Sequence, residues 1–312
     1  MTMVVAFAPD GRGRAVLHLA AMLARSGDED LVVCAVVPSP WPPSPAKVDA
    51  EYQAYLQGTA ENALSRARAR LPADIRSSFE VVHARSAPAG LLEVAERVDA
   101  SLIIVGSAAD GGSGMVSLGS TSSRLLHSSH VPVALAPRGF RVGEAARVAR
   151  VTVAFGGSHE DLVVATASVA ARVGASLRIA SFAVRARPPY TAGVGREADE
   201  SMTDQWVSEI KASARAAAAE VEGLPAVPRD LECVVGQGED WGEALEDVPW
   251  HDGDMLVVGS SSIGPVARVF LGSRSTKIVR HSPVPVVVVP RGRAAELADA
   301  AEAATDRSSA TR

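Results

Sequence analysis

The sequence predicts an α/β protein built as two doubly wound parallel sheets in tandem. Three observations carry this. Short apolar runs without polar alternation suit strands buried on both faces, as in a parallel sheet. Those runs alternate with helical segments, which places helices on both sides of each sheet. The pattern also occurs twice. Leu256 to Pro290 (LVVGSSSIGPVARVFLGSRSTKIVRHSPVPVVVVP) repeats Ile103 to Pro137 (IIVGSAADGGSGMVSLGSTSSRLLHSSHVPVALAP). Gly106 and Gly259, Gly119 and Gly272, and Pro132 and Pro285 are each 153 positions apart. A repeat of that length is a duplicated domain, not a solenoid unit.

The elements follow in order. Met3 to Ala8 is the first buried strand, and Pro9-Asp10-Gly11 is a turn. Arg14 to Arg25 is helical and Ala/Leu-rich, with Gly27 placed to cap its end. Leu31 to Val37 is the second strand. Pro38 to Pro45 (PSPWPPSP) admits neither helix nor central strand, and Trp41 within it reads as a hydrophobic plug ahead of a ligand lid. Lys47 to Leu71 is a long helix and Phe79 to Ala84 a strand. Ala87 to Val98 is an amphipathic helix with Leu91, Leu92, Val94, Ala95 and Val98 on its inner face. A strand ending at Val105, a helix from Ser120 and a strand over Val133 to Ala136 complete the first half.

Residues 138–149 form a polar connection. The second half restarts at Val151 to Phe155, with helix Glu160 to Val173, strand Ala175 to Val184 and a Pro/Gly loop over Arg185 to Gly195. Helix Ala198 to Val221 follows, with Trp206 placed on its buried face. Then come strand Leu231 to Val235, helix Trp241 to Glu246, strand Met255 to Val258, a helix opened by Gly272-Ser273 and a valine-rich last strand. The expected domains are 1–140 and 149–292. Residues 293–312, apolar almost only through alanine, are expected to be a frayed or disordered tail.

The chain has 312 residues, enough for two cores, and a net charge of −5, which argues against a nucleic-acid partner. No apolar run approaches the ~20 residues of a membrane helix, and no secretory leader is evident, so a cytoplasmic protein without a membrane partner is expected. Cys34 and Cys233 lie in strand-like runs and read as two buried structural thiols.

The chemistry points to the loops after the two strands that end at Val105 and Val258. Ligands on open parallel sheets sit at the strands' C-terminal ends. Gly119-Ser120-Thr121-Ser122 and Gly272-Ser273-Arg274-Ser275 each open a helix, whose free N–H groups and partial positive charge suit phosphate. Ordinary N-capping by serine accounts for the same residues. His127 and His130 are spaced as ligands on one helical face, yet no Cys or carboxylate follows at metal spacing, so no metal is expected. Phe155 to Glu160 (FGGSHE) matches a PP-loop only weakly. Neither a nucleophile elbow nor a Walker loop is present, and the chain is not expected to be an enzyme.

Both halves resemble universal stress protein domains, over about residues 3–138 and 150–291, and the whole chain resembles the tandem type of actinobacteria. The family signature is Gly, two residues, Gly, nine residues, then Gly-Ser or Gly-Thr. Here it reads Gly106, Ala109, Gly119-Ser120, and then Gly259, Ser262, Gly272-Ser273. The resemblance implies an adenine nucleotide alpha hydrolase-like fold, five strands per sheet in the order 3-2-1-4-5. It implies an adenine-nucleotide (ATP) or anion site in each half. That site would draw on Ala8, Asp10 and Val37 in the first half, on Gly156 in the second, and on the signature residues and the residues opening each helix. The family's middle glycine is replaced by Ala109 and Ser262, and its Asp after the first strand by Ala8 and Gly156. Asp10 lies two residues beyond. These departures leave a scaffold acting through protein contacts as the alternative to a nucleotide-binding stress-response regulator, with an adenylating enzyme third. The resemblance further implies that the last strand of each half pairs within the chain as an intramolecular pseudo-dimer, itself able to form a homodimer or meet a protein partner.

Overall fold

The computed structural model describes residues 1–8, 13–39, 47–108, 112–157, 160–185, 196–260, 272–290, 292–294 and 296. The first half runs β1 (Thr2–Ala6), α1 (Arg14–Gly27), β2 (Asp30–Pro38), α2 (Lys47–Arg68), β3 (Ser77–Ala84), α3 (Ala87–Arg97), β4 (Ala100–Gly106), α4 (Ser120–Ser128) and β5 (Val133–Ala136). The second half repeats it as β6 (Arg150–Ala154), α5 (Glu160–Arg172), β7 (Ser176–Val184), α6 (Arg196–Glu222), β8 (Leu231–Gly238), α7 (Trp241–Glu246), β9 (Asp254–Gly259), α8 (Ser273–His281) and β10 (Val286–Val289). The Trp41 loop, the side chain of Trp206 and residues 297–312 lie outside the described residues.

The strands form one ten-stranded sheet in the order β3-β2-β1-β4-β5-β10-β9-β6-β7-β8. Each half keeps the order 3-2-1-4-5, with parallel pairing throughout. The two five-stranded sheets are therefore not separate. β10 lies antiparallel to β5, with Val286 opposite Leu135 and Val288 opposite Val133. Each valine-rich edge has unpaired N–H and C=O groups, and the other edge satisfies them.

Two apolar layers sandwich the sheet. On one face α1, α2, α5 and α6 cover a core that includes Leu19, Ala60, Val163 and Ala214. On the other, α3, α4, α7 and α8 bring Leu91, Leu125, Leu245 and Val279 against the strands. Local chemistry sets the helix ends. Ser86 caps α3 by accepting from the Ala89 N–H at 3.4 Å. α1 runs two residues beyond Arg25, and its cap falls one residue later than the sequence suggests. Gly27 is still helical, and Asp28 takes the left-handed conformation at φ 50°, which Asp tolerates better than most residues. Cys34 is buried as expected, but Cys233 is exposed. The reason is topological, since β8 is an edge strand.

The connection between the halves is strapped down. The Arg147 guanidinium donates to the Arg25 carbonyl. The Val148 N–H donates to Ser26 Oγ at 2.8 Å, and the Ala149 N–H donates to the Gly253 carbonyl at 2.9 Å. Arg172 of α5 reaches across to Glu29 at 3.4 Å, and the Ser101 hydroxyl donates to the same carboxylate at 2.6 Å. Ser26→Ala should leave the Val148 N–H unpaired and cost about 1 kcal/mol, read from the urea midpoint at unchanged m-value.

Candidate functional site

The candidate residues gather at the C-terminal ends of β4 and β9 and at the starts of α4 and α8. Asp10, Ala109 and Ser262 lie outside the described residues. The strand-end glycines have a packing role. A Cβ on Gly106 would lie 2.9 Å from Val16 Cγ2 of α1, and one on Gly259 would lie 3.2 Å from Leu162 Cδ2 of α5. Each glycine lets the first helix of its half sit close to the sheet. Ala8 and Gly156 are exposed, and a Cβ on Gly156 would meet nothing within 4 Å. Val37 is only 2% exposed, packed in the core beneath α1 and α2.

In the first half the loop folds back on the protein. The Ala108 N–H donates to the Ser117 carbonyl at 2.9 Å. The Gly114 N–H donates to the Arg138 carbonyl at 2.9 Å, and the Arg138 N–H returns to the Met115 carbonyl at 3.0 Å. Ser107 Oγ donates to the Ala136 carbonyl at 2.8 Å and accepts from the Ser117 N–H at 3.2 Å. Val116, 2% exposed, inserts into the core beneath. Among the described residues of this loop, the Ala108, Gly114 and Ser117 N–H groups are thus committed to protein acceptors. Sequence reasoning missed Ser107, Ser117 and Arg138 as the residues that shape this loop. The Gly111, Gly112 and Gly114 cluster was the signal, since glycines permit the fold-back. Gly114 adopts φ +80°.

The two helix starts are built alike, and differ in carrying Thr121 in α4 and Arg274 in α8. Neither Gly119 nor Gly272 is a side-chain cap, and both have extended backbone. Ser120 is exposed and Thr121 half-buried, while Ser122 is 1% exposed. The Ser122 hydroxyl donates back to the Gly119 carbonyl at 3.1 Å, so it braces the helix start. Ser275 acts similarly, donating to the Gly259 carbonyl at 3.1 Å. Ser273 and Arg274 are exposed at the start of α8. Among the described residues no group of His, Cys, Asp and Glu is arranged to hold a metal, and no helix is long and apolar enough to cross a membrane.

The family model described as the universal stress protein family matches residues 1–137 and 148–290. The chain belongs to the universal stress protein family. A universal stress protein of Mycobacterium tuberculosis is 38% identical over 296 residues, covering 93% of this chain and 100% of its own length. Its Mycobacterium bovis counterpart matches equally, at 38% over 296 residues. Among solved structures, a universal stress protein of Archaeoglobus fulgidus aligns with a TM-score of 0.60 at 22% identity, covering 93% of this chain and 98% of that one. At that identity the likeness concerns the fold. These universal stress protein matches span both halves, as the ten-stranded sheet does.

Proposed function

We propose that this universal stress protein is a stress-response regulator that works by binding rather than turnover. Its adenine nucleotide, or another phosphate-bearing anion, is taken by the second half at the start of α8. The first half is a closed counterpart. The observation that carries this reading is the fold-back of the first loop, which commits Ala108, Gly114 and Ser117 N–H groups to protein acceptors. Both helix starts lack a side-chain cap and expose their first serine, but α8 follows it with the exposed Arg274 where α4 has Thr121, which adds a guanidinium to the dipole and N–H groups that phosphate favours.

Calorimetry with ATP, AMP and cyclic AMP tests the reading. One equivalent per chain is expected, not two, and Arg274→Ala should weaken binding about tenfold. Two equivalents would overturn the assignment to one half. A scaffold acting through protein contacts alone is the second reading, favoured by Ala8 and Gly156 standing where ATP-binding relatives have Asp. Absence of heat at millimolar nucleotide would select it.

A further inference from the structure

Away from the strand ends, the helical face of the first half holds a cavity of about 210 Å³. α1 supplies Arg14, His18 and Arg25 to its wall. At offsets of four and eleven residues they share one helical face and extend about 16 Å along the axis at 1.5 Å per residue. Opposite them stand Arg70, just beyond α2, and the linker residues Val142 to Glu144. The cavity is therefore elongated, and the connection between the halves forms one of its walls.

Its charge is unbalanced. Arg25 is nine-tenths buried and satisfied by Asp74, through contacts of 2.6 and 3.1 Å. Arg14, Arg70 and the neighbouring Arg141 are exposed, and none of the three makes an ion pair with the described residues. Among the described residues, Glu144 is the one carboxylate in the lining. Burial pushes the His18 imidazole below its ordinary value, and the charges of Arg14 and Arg141 push it further the same way. Both guanidiniums therefore act on the same interior point. A chain with a net charge of −5 has gathered around one hollow three exposed arginines that have no ion-pair partner among the described residues. Guanidinium forks match phosphate oxygens bidentately, and several in a row match a row of phosphates.

We infer that this cavity is a binding site for a multivalent oxyanion, a short linear phosphate chain, held between α1 and the linker. It is separate from the strand-end site and does not depend on nucleotide binding there. Occupancy would add charge-assisted bonds between α1, the end of α2 and the connection to the second half.

The test is calorimetric titration of the full chain with sodium tripolyphosphate, with the His18 ring resonances followed by NMR. The wild type is expected to bind, to bind less tightly as salt is added, and to show a His18 shift. The Arg14→Ser/Arg70→Ser variant, both changes at exposed positions, should bind at least tenfold more weakly while melting within a few degrees of the wild type. Arg274→Ala should leave the His18 response unchanged. The inference is overturned if the wild type gives no heat, if the double variant binds like the wild type, if His18 does not respond, or if an oligoglutamate peptide binds more tightly than tripolyphosphate.

Discussion

Replacing Arg178 with methionine is expected to lower the unfolding free energy by about 3–5 kcal/mol at pH 7. Arg178 lies on β7 and is 0% exposed. Its guanidinium donates to Glu232 at 3.0 Å and to the Pro249 carbonyl at 2.8 Å. It stands 3.8 Å from Asp254 and 5.7 Å from the centre of the Trp250 ring. Methionine fills much of the volume but leaves Asp254, 2% exposed, without that cation. The loss should therefore depend on pH. Burial raises the Asp254 carboxyl above its ordinary value of 3.8, against the pull of the His251 N–H and Arg150. A group with a raised folded pKa contributes stability below its unfolded pKa and loses it as pH rises through the folded one. Removing a cation raises the folded value further, so the deficit of the variant should shrink as pH falls toward 4. Arg178→Met/Asp254→Asn should recover part of the loss at pH 7 and flatten that dependence. Denaturant titrations between pH 4 and 8 would show it. A loss under 1 kcal/mol, or one independent of pH, would refute the account.

Gly236→Ala is expected to cost about 3 kcal/mol by forcing α7 off the sheet. A Cβ there would lie 2.1 Å from the Ala244 carbonyl oxygen and 2.9 Å from Val248 Cγ2. The first contact is with backbone, which cannot turn aside as a side chain can. α7 has six residues, pinned by Asp240 accepting from the Glu243 N–H at 3.0 Å and by Trp250 Nε1 donating to the Leu245 carbonyl at 2.8 Å. It must therefore shift as a unit, and Trp241 and Trp250 should report the shift as red-shifted fluorescence. Gly58→Ala is the control. Nothing lies within 4 Å of a Cβ there, so this change inside α2 should stabilise by about 0.5–1 kcal/mol. Equal effects from the two substitutions would contradict the packing argument.

Much of the architecture was legible in the sequence, and the reason is physical. Strands such as Leu31 to Val37 are apolar on both faces because they are covered on both faces, so hydrophobicity alone marks them. The repeat then gave the second half without independent reasoning. Arg178 was not legible. A lone Arg in ASLRIASFAV reads as a solvent-facing strand residue, and the groups that hold it come from β8, β9 and the segment before β9. The fold-back of the first loop was hidden for the same reason, since its partners Ala136 and Arg138 follow the whole of α4. Gly106 illustrates a subtler limit. Its type and place agree with a phosphate loop, but only its distance to Val16 reveals the packing role. Cys233 differs from Cys34 only in lying on an edge strand, which the local sequence does not record.

The antiparallel junction of β5 and β10 joins two halves that are encoded separately. Where two identical chains meet about a two-fold axis, every substitution falls on both sides at once, and any gain on one side is tied to the same change on the other. Here that bond is cut. Val4 and Val32 lie side by side in the first half, while the matching register of the second half carries Thr152 and Arg178. One inheritance has given a hydrocarbon pair on one side and, at the same register on the other, a threonine beside a buried arginine that is ion-paired to Glu232. The chain can keep the shape of a symmetric pair while assigning its two members different work.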